Sequence, residues 1–170
     1  MAPEDAAHVG AAERERIARS GGLCGEALDV TLQRAATQVP EWKAALDFVE
    51  GLESIGAGGP VGYLGVSMGA FLGIPFVAAE PRVKAAVFGL AGGEALLAAA
   101  RQITIPLQFT VQWDDAFVAR EDSLALFTAF GSREKTLHAN PGGHGEVPAF
   151  ERVGWEGFFL RHLGPSPAAG

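Results

Sequence analysis

The 170-residue sequence has only one cysteine, Cys24, and no long apolar run. A single cysteine excludes an internal disulfide, and this favours a reducing, cytoplasmic location. A membrane-spanning helix needs roughly 18 or more consecutive apolar residues, so no membrane partner is expected. The first ten residues carry acids and lack the basic and apolar regions of a secretory signal, so we do not expect them to direct secretion.

Basic residues are also scarce, since 13 Lys and Arg stand against 20 Asp and Glu, for a net charge of −7. Binding to nucleic acid requires clustered Lys and Arg, so no nucleic-acid partner is expected. The histidines lie at positions 8, 138, 144 and 162, a spacing that is not typical of metal ligands, and no metal site is predicted. The 48% of hydrophobic residues predicts one packed domain.

Short apolar runs bounded by turn residues alternate with helical patterns from Pro40 onward. The predicted strands cover residues 61–66, 83–90, 107–113 and 134–140, with helices before, between and after them. Pro40 is predicted in the first turn of the first helix, and Pro75 is predicted to kink or shorten the second. The order of elements predicts an α/β fold, a three-layer sandwich with a mostly parallel sheet of about four strands.

Polar side chains come directly after three of the four predicted strands. Ser67 follows the first, Asp114 and Asp115 follow the third, and His144 follows the fourth within a glycine-rich turn. The carboxyl ends of parallel strands meet at one edge of the sheet, where ligands bind. We therefore expect these side chains to converge.

The three residue types are those of a serine hydrolase. A neutral serine hydroxyl is a weak nucleophile and needs a base such as His144, while a carboxylate orients the imidazole. The pattern by itself leaves Asp114 and Asp115 open as the acid. It also leaves open a purely structural interpretation, in which Ser67 caps a helix and His144 is an ordinary loop histidine.

The glycines around Ser67 fit a sharp turn from strand to helix. We expect Gly65 and Gly69 to remove Cβ atoms that would collide at such a turn. The backbone N–H of Met68, at the start of the next helix, is the first expected oxyanion donor.

These motifs resemble the α/β-hydrolase family, and within it the dienelactone hydrolase-like esterases. The resemblance rests on the elbow "GVSMG", the acid turn "QWDDAFV" and the histidine loop "NPGGHG", and it covers roughly residues 40–163. It implies that Ser67, Asp115 and His144 cleave a small-molecule ester through an acyl-enzyme, without a cofactor. Trp113, Phe117 and Gly142 are the candidates for lining the substrate pocket.

The chain departs from that family before the elbow, because only 66 residues precede Ser67. We expect residues 1–39 to form a helical or loop arm, 40–163 the catalytic core of a truncated α/β-hydrolase fold, and 164–170 a disordered tail. Met1 is expected to lie within a longer reading frame. The loop at residues 20–25 is a candidate for the second oxyanion donor.

The early elbow has consequences for assembly and for function. The elbow strand would form an open apolar edge, which predicts a homodimer through that edge or the N-terminal arm, or addition of residues 26–33 as a strand. A degenerate hydrolase acting as a binding or assembly module is one alternative function. A thioesterase or acyltransferase with the same three residues is another, whereas a dehalogenase is disfavoured because Ser67 stands where an aspartate is usual.

Overall fold

The computed structural model describes residues 25–52 and 58–164. In chain order the elements are α1 (Gly25–Glu50), β1 (Val61–Val66), α2 (Met68–Ala79), β2 (Val83–Gly89), a 3₁₀ turn (Glu94–Leu96) that leads into α3 (Leu97–Ala100), β3 (Leu107–Gln112), α4 (Arg120–Ala129), β4 (Lys135–Asn140) and α5 (Ala149–Leu163). The predictions for residues 1–24 and 165–170 lie outside the described residues. Within the described part, no helix is both long and apolar enough to cross a membrane.

The four strands form one parallel sheet in the order β1-β2-β3-β4. The α/β fold class is therefore confirmed. Strands β2 and β3 are buried along almost their whole length, as expected for parallel strands that are covered on both faces. Because side chains alternate along a strand, Phe88 of β2 faces α1 to α4, and its neighbour Val87 faces α5.

Helix α1 is the main difference from the predicted elements. It runs from Gly25 to Glu50 with Pro40 inside it, so the expectation of a helix starting at Pro40 is wrong. Residues 26–33 are helical and do not add a strand to the sheet. Proline costs about 3 kcal/mol inside a helix, and packing of Val39, Trp42 and Leu46 against the main core offsets this cost.

Two smaller differences concern α2 and α5. Helix α2 continues through Pro75 to Ala79, so this proline does not shorten it. In α5, Trp155 and Phe158 pack on the sheet, whereas Phe150 and Val153 are 64% and 68% exposed. The sequence pattern of residues 148–163 predicts one apolar stripe that includes Phe150 and Val153. This stripe is too broad, because only the side of α5 that meets the sheet is buried.

Candidate active site

Ser67 lies between the end of β1 and the start of α2, in a strained backbone conformation. Its φ is 53° and its ψ is −122°, a region that residues other than glycine rarely adopt. Its N–H donates to the carbonyl of Gly89 at 2.9 Å, and its carbonyl accepts from Ala70 and Phe71. Its hydroxyl makes no capping hydrogen bond to α2, so the side chain is free to face the site.

The two glycines of the elbow differ in what they contribute. A Cβ at Gly65 would lie 2.5 Å from the carbonyl oxygen of Gly69, but a Cβ at Gly69 would meet nothing within 4 Å. The expected collision at Gly69 is therefore wrong, since it is the Gly69 carbonyl that crowds the turn. This oxygen also accepts the hydroxyl of Tyr63 at 2.7 Å, and burial raises the pKa of Tyr63 to about 12.

Ser67, His144 and Asp115 form a continuous hydrogen-bonded chain. The hydroxyl oxygen of Ser67 is 2.7 Å from Nε2 of His144, and Nδ1 of His144 is 2.7 Å from Oδ2 of Asp115. A carboxylate only accepts hydrogen bonds, so the imidazole carries its proton on Nδ1. Nε2 is then an acceptor that faces the serine hydroxyl, which is the arrangement a general base requires.

Asp115 is held by both of its carboxylate oxygens. Oδ1 accepts the N–H groups of Phe117 at 2.7 Å and Val118 at 3.2 Å, while Oδ2 faces His144. Burial raises the pKa of Asp115, but the hydrogen bond from His144 and those two N–H groups outweigh it, so the pKa lies below its ordinary value. The side chain is 4% exposed and is therefore a fixed, charged partner for the imidazole.

Asp114 points elsewhere, although it is adjacent in sequence. Its carboxylate accepts the N–H of Gly142 at 3.0 Å, and its own N–H donates to the Gly142 carbonyl at 3.1 Å. The structure thus brings Asp115 to His144 and brings Asp114 to the backbone of the loop that carries His144.

The three predicted pocket residues have different surroundings. The ring of Phe117 lies 4.9 Å from the imidazole of His144. Trp113 is 45% exposed, and the guanidinium of Arg120 lies 4.4 Å from its ring centre. Gly142 has a φ of 103°, so its backbone conformation already explains why this position is glycine.

The residue that the sequence analysis expects to donate to the oxyanion lies at the start of α2. Met68 is the first residue of α2, and the first N–H groups of a helix have no acceptor within the helix. Of the loop proposed for the second donor, residues 20–24 lie outside the described residues, and Gly25 begins α1. In the described ranges, no group of three or more His, Cys, Asp or Glu residues is placed to hold a metal ion.

Two polar residues that the sequence patterns do not single out also contact the loop of His144. The side-chain amide of Gln112 donates to the carbonyls of Pro141 and Gly143. The carboxylate of Glu146 accepts the N–H of Gly143 at 2.6 Å. A glutamine near the end of a predicted strand, at the start of the acid turn, was the available signal for the first, and nothing in the sequence marked the second.

Known structures similar to this chain include several esterases. A cold-adapted esterase from an Arctic intertidal metagenomic library is 39% identical, with a TM-score of 0.71 over 76% of this chain. The esterase domain of a Rhodothermus marinus protein and an esterase of Pyrococcus furiosus match at 17% and 14% identity, with TM-scores of 0.61 and 0.62 over 81% and 75% of this chain. These two likenesses concern the fold alone.

The matches differ in how much of each relative they cover. They span 56% to 60% of the cold-adapted esterase, 80% of the Rhodothermus domain and 63% of the Pyrococcus enzyme. This chain therefore spans less than two thirds of the length of the cold-adapted esterase. No protein-family model and no curated protein matches it.

Proposed function

Because this chain belongs to the α/β-hydrolase superfamily, we propose that it is a serine hydrolase that cleaves carboxylic esters of small molecules. The observation that carries the proposal is the hydrogen-bonded chain from Ser67 through His144 to Asp115. The strained backbone of Ser67 supports it further, because such strain collects at functional sites.

The proposed reaction passes through an acyl-enzyme. Ser67 attacks the ester carbonyl carbon while Nε2 of His144 takes the hydroxyl proton, and Asp115 stabilises the imidazolium that forms. His144 then gives that proton to the leaving alcohol, which leaves the acyl group on Ser67. A water molecule, activated by the same imidazole, releases the acid and restores the serine.

The oxyanion of each tetrahedral intermediate would be stabilised at the start of α2. The N–H of Met68 is the proposed donor, aided by the positive end of the helix dipole. Loss of one oxyanion donor lowers turnover by roughly 10²–10³. We therefore expect kcat to depend strongly on a second donor. Residues 20–25 remain the proposed source of that donor.

The dienelactone hydrolase-like subtype is part of the proposal and rests on the acid turn and the histidine loop. Trp113 and Phe117 are the proposed apolar walls for the acyl group, since one is exposed beside the acid turn and the other touches His144. The proposed reaction needs no cofactor. A cytoplasmic location is proposed from the single cysteine.

A second candidate function is an assembly module that is inactive alone. The observation that favours it is the free side of β1, which pairs only with β2 in the described part of the chain. We propose that this edge pairs with a second copy of the chain to form a homodimer. If the chain is a hydrolase, the homodimer is expected to be active.

Substitution of the nucleophile tests the leading function. Ser67→Ala is expected to lower hydrolysis of p-nitrophenyl acetate by at least about 10³-fold and to abolish labelling by a fluorophosphonate probe. The control Ser132→Ala removes a hydroxyl that donates to Glu134 outside the site and should keep the labelling. Unchanged hydrolysis by Ser67→Ala would refute the hydrolase, and a folded wild-type chain that resists the probe would support the module.

A further inference from the structure

A buried amide lies directly beneath the loop that carries His144. Gln112, the last residue of β3, is 1% exposed. Its Nε2 donates to the carbonyls of Pro141 and Gly143, both at 3.3 Å. Both hydrogens of one side-chain amide are therefore directed to carbonyls of the segment that immediately precedes His144.

The carbonyl of Gly143 belongs to the peptide bond that leads into His144. Its direction therefore influences where the imidazole stands relative to Asp115 and Ser67. Gly142 and Gly143 have no side chains of their own with which to fix this loop, and Gly142 adopts a φ of 103°. Glu146, within the loop, donates its N–H to the Gly143 carbonyl at 2.9 Å and accepts the Gly143 N–H at 2.6 Å. Among the side chains that reach the loop from the strand β3 and the acid turn, Asp114 is exposed and Gln112 is buried.

The oxygen of this amide argues against a purely stabilising role. Oε1 of Gln112 is buried and has no hydrogen-bond partner among the described residues. A buried acceptor without a partner disfavours folding, and an apolar side chain of similar size would fill the position without that penalty. A polar residue here is therefore best explained by what its amide hydrogens hold.

We propose that Gln112 is a positioning residue that holds the loop of His144 so that the imidazole bridges Asp115 and Ser67. The inference rests on the proposed hydrolase function. The hydrogen bonds of the Gln112 amide reach neither the imidazole nor the serine, and it acts only through the two carbonyls. Its effect should therefore appear in turnover and not in substrate affinity.

The test replaces the amide by an apolar side chain of similar size. Gln112→Met is expected to lower kcat for p-nitrophenyl acetate by about tenfold to a hundredfold, because displacement of a catalytic group by about 1 Å has effects of this order. KM should stay within about twofold and Tm should be unchanged or higher. In proton NMR spectra, the low-field resonance of the His144 Nδ1–H should broaden or shift.

The matched control is the other buried glutamine on the same face of β3. Gln108 is 3% exposed and lies beside His138 and Glu151, away from the loop of His144. Gln108→Met should keep kcat within about twofold and lower Tm, since the buried carboxylate of Glu151 loses a donor.

The outcomes separate this inference from the proposed function. A kcat for Gln112→Met within about twofold of wild type, while Ser67→Ala is inactive, overturns the positioning role and leaves the hydrolase intact. Gln112→Leu is a second apolar variant, which shows whether a loss of kcat comes from the packing of methionine alone. If both apolar variants lose Tm in step with kcat, the role is structural and the inference is wrong.

Discussion

Ser67 has one of two positive φ angles found at residues other than glycine among the described residues, the other being Leu90 at 56°. Both lie directly after the carboxyl ends of neighbouring parallel strands, and hydrogen bonds hold both, from Ser67 to Gly89 and from Leu90 to Thr110. Strain of about 1–3 kcal/mol per residue persists only where surrounding contacts enforce it. At Ser67 the enforced conformation is the one that keeps the hydroxyl within reach of His144.

The two adjacent aspartates allow the proposed acid to be tested at the scale of one residue. Asp115→Asn should lower kcat by about 10³–10⁴, because an amide no longer holds the Nδ1 proton and the imidazole loses its orientation. Asp114→Asn keeps an oxygen that can accept the N–H of Gly142, so its kcat should stay within about tenfold of wild type. Steady-state kinetics on one ester decide between them, and a larger loss at Asp114 would reassign the acid.

At the scale of elements, an ion cluster joins the start of β2 to α1. Arg82 pairs with Glu80 at 2.7 Å and with Asp47 and Glu50 of α1 at 2.6 Å and 2.9 Å. The hydrogen bond from Arg82 lowers the pKa of Glu80 to about 2 despite the opposing effect of burial. Since this folded-state pKa lies below the ordinary value, Glu80 stabilises the fold above about pH 4.5, and the contribution is lost as the pH falls toward 2.

Removal of the Glu80 charge should therefore make Tm depend less on pH under acidic conditions. Glu80→Gln is expected to lower Tm at pH 7 by a few degrees, and its Tm should fall less than that of wild type between pH 5 and pH 2. The control Glu121→Gln alters a carboxylate that is 75% exposed and should keep the wild-type pH dependence. Thermal melts followed by circular dichroism measure both, and parallel curves for Glu80→Gln and wild type would contradict the argument.

At the scale of the whole molecule, β1 has an apolar and unpaired side within the described residues. Leu64 is 48% exposed, and the position of Gly62 is covered by Phe159 and Leu163 of α5, which a Cβ there would meet at under 3 Å. An edge strand with free backbone groups and apolar neighbours tends to pair with another chain. The elbow strand is therefore where we expect two copies to meet.

A charged edge should disrupt the proposed dimer. Light scattering after size exclusion is expected to give the mass of two chains for wild type, and Leu64→Lys should weaken association by at least about tenfold, because lysine on an edge strand opposes pairing. Val153→Lys alters an equally apolar exposed position on α5 and should remain dimeric. A monodisperse wild-type monomer across a wide concentration range would rule out the dimer.

The alternation of elements was determined by the sequence alone. Strand β1 covers residues 61–66 as predicted, and β3 and β4 differ from their predicted ranges by one residue, because short apolar runs between turn residues depend on neighbours a few positions away. The prediction from local sequence was wrong at Pro40, which was expected in the first turn of a helix but lies inside a longer one. Packing of α1 against the core, which no local pattern contains, decided that outcome.

The convergence of serine, acid and histidine at one edge of the sheet was predicted from strand order, and their roles remain a proposal. The order of strands left Asp114 and Asp115 open, and the family resemblance implied Asp115. The tertiary structure brings Asp115 to His144 and Asp114 to the backbone of Gly142. It also placed Gln112 under a loop about 30 residues further along the chain. A sequence pattern identifies the residues at the end of each strand, whereas the direction of their side chains depends on contacts between strands that are distant in sequence.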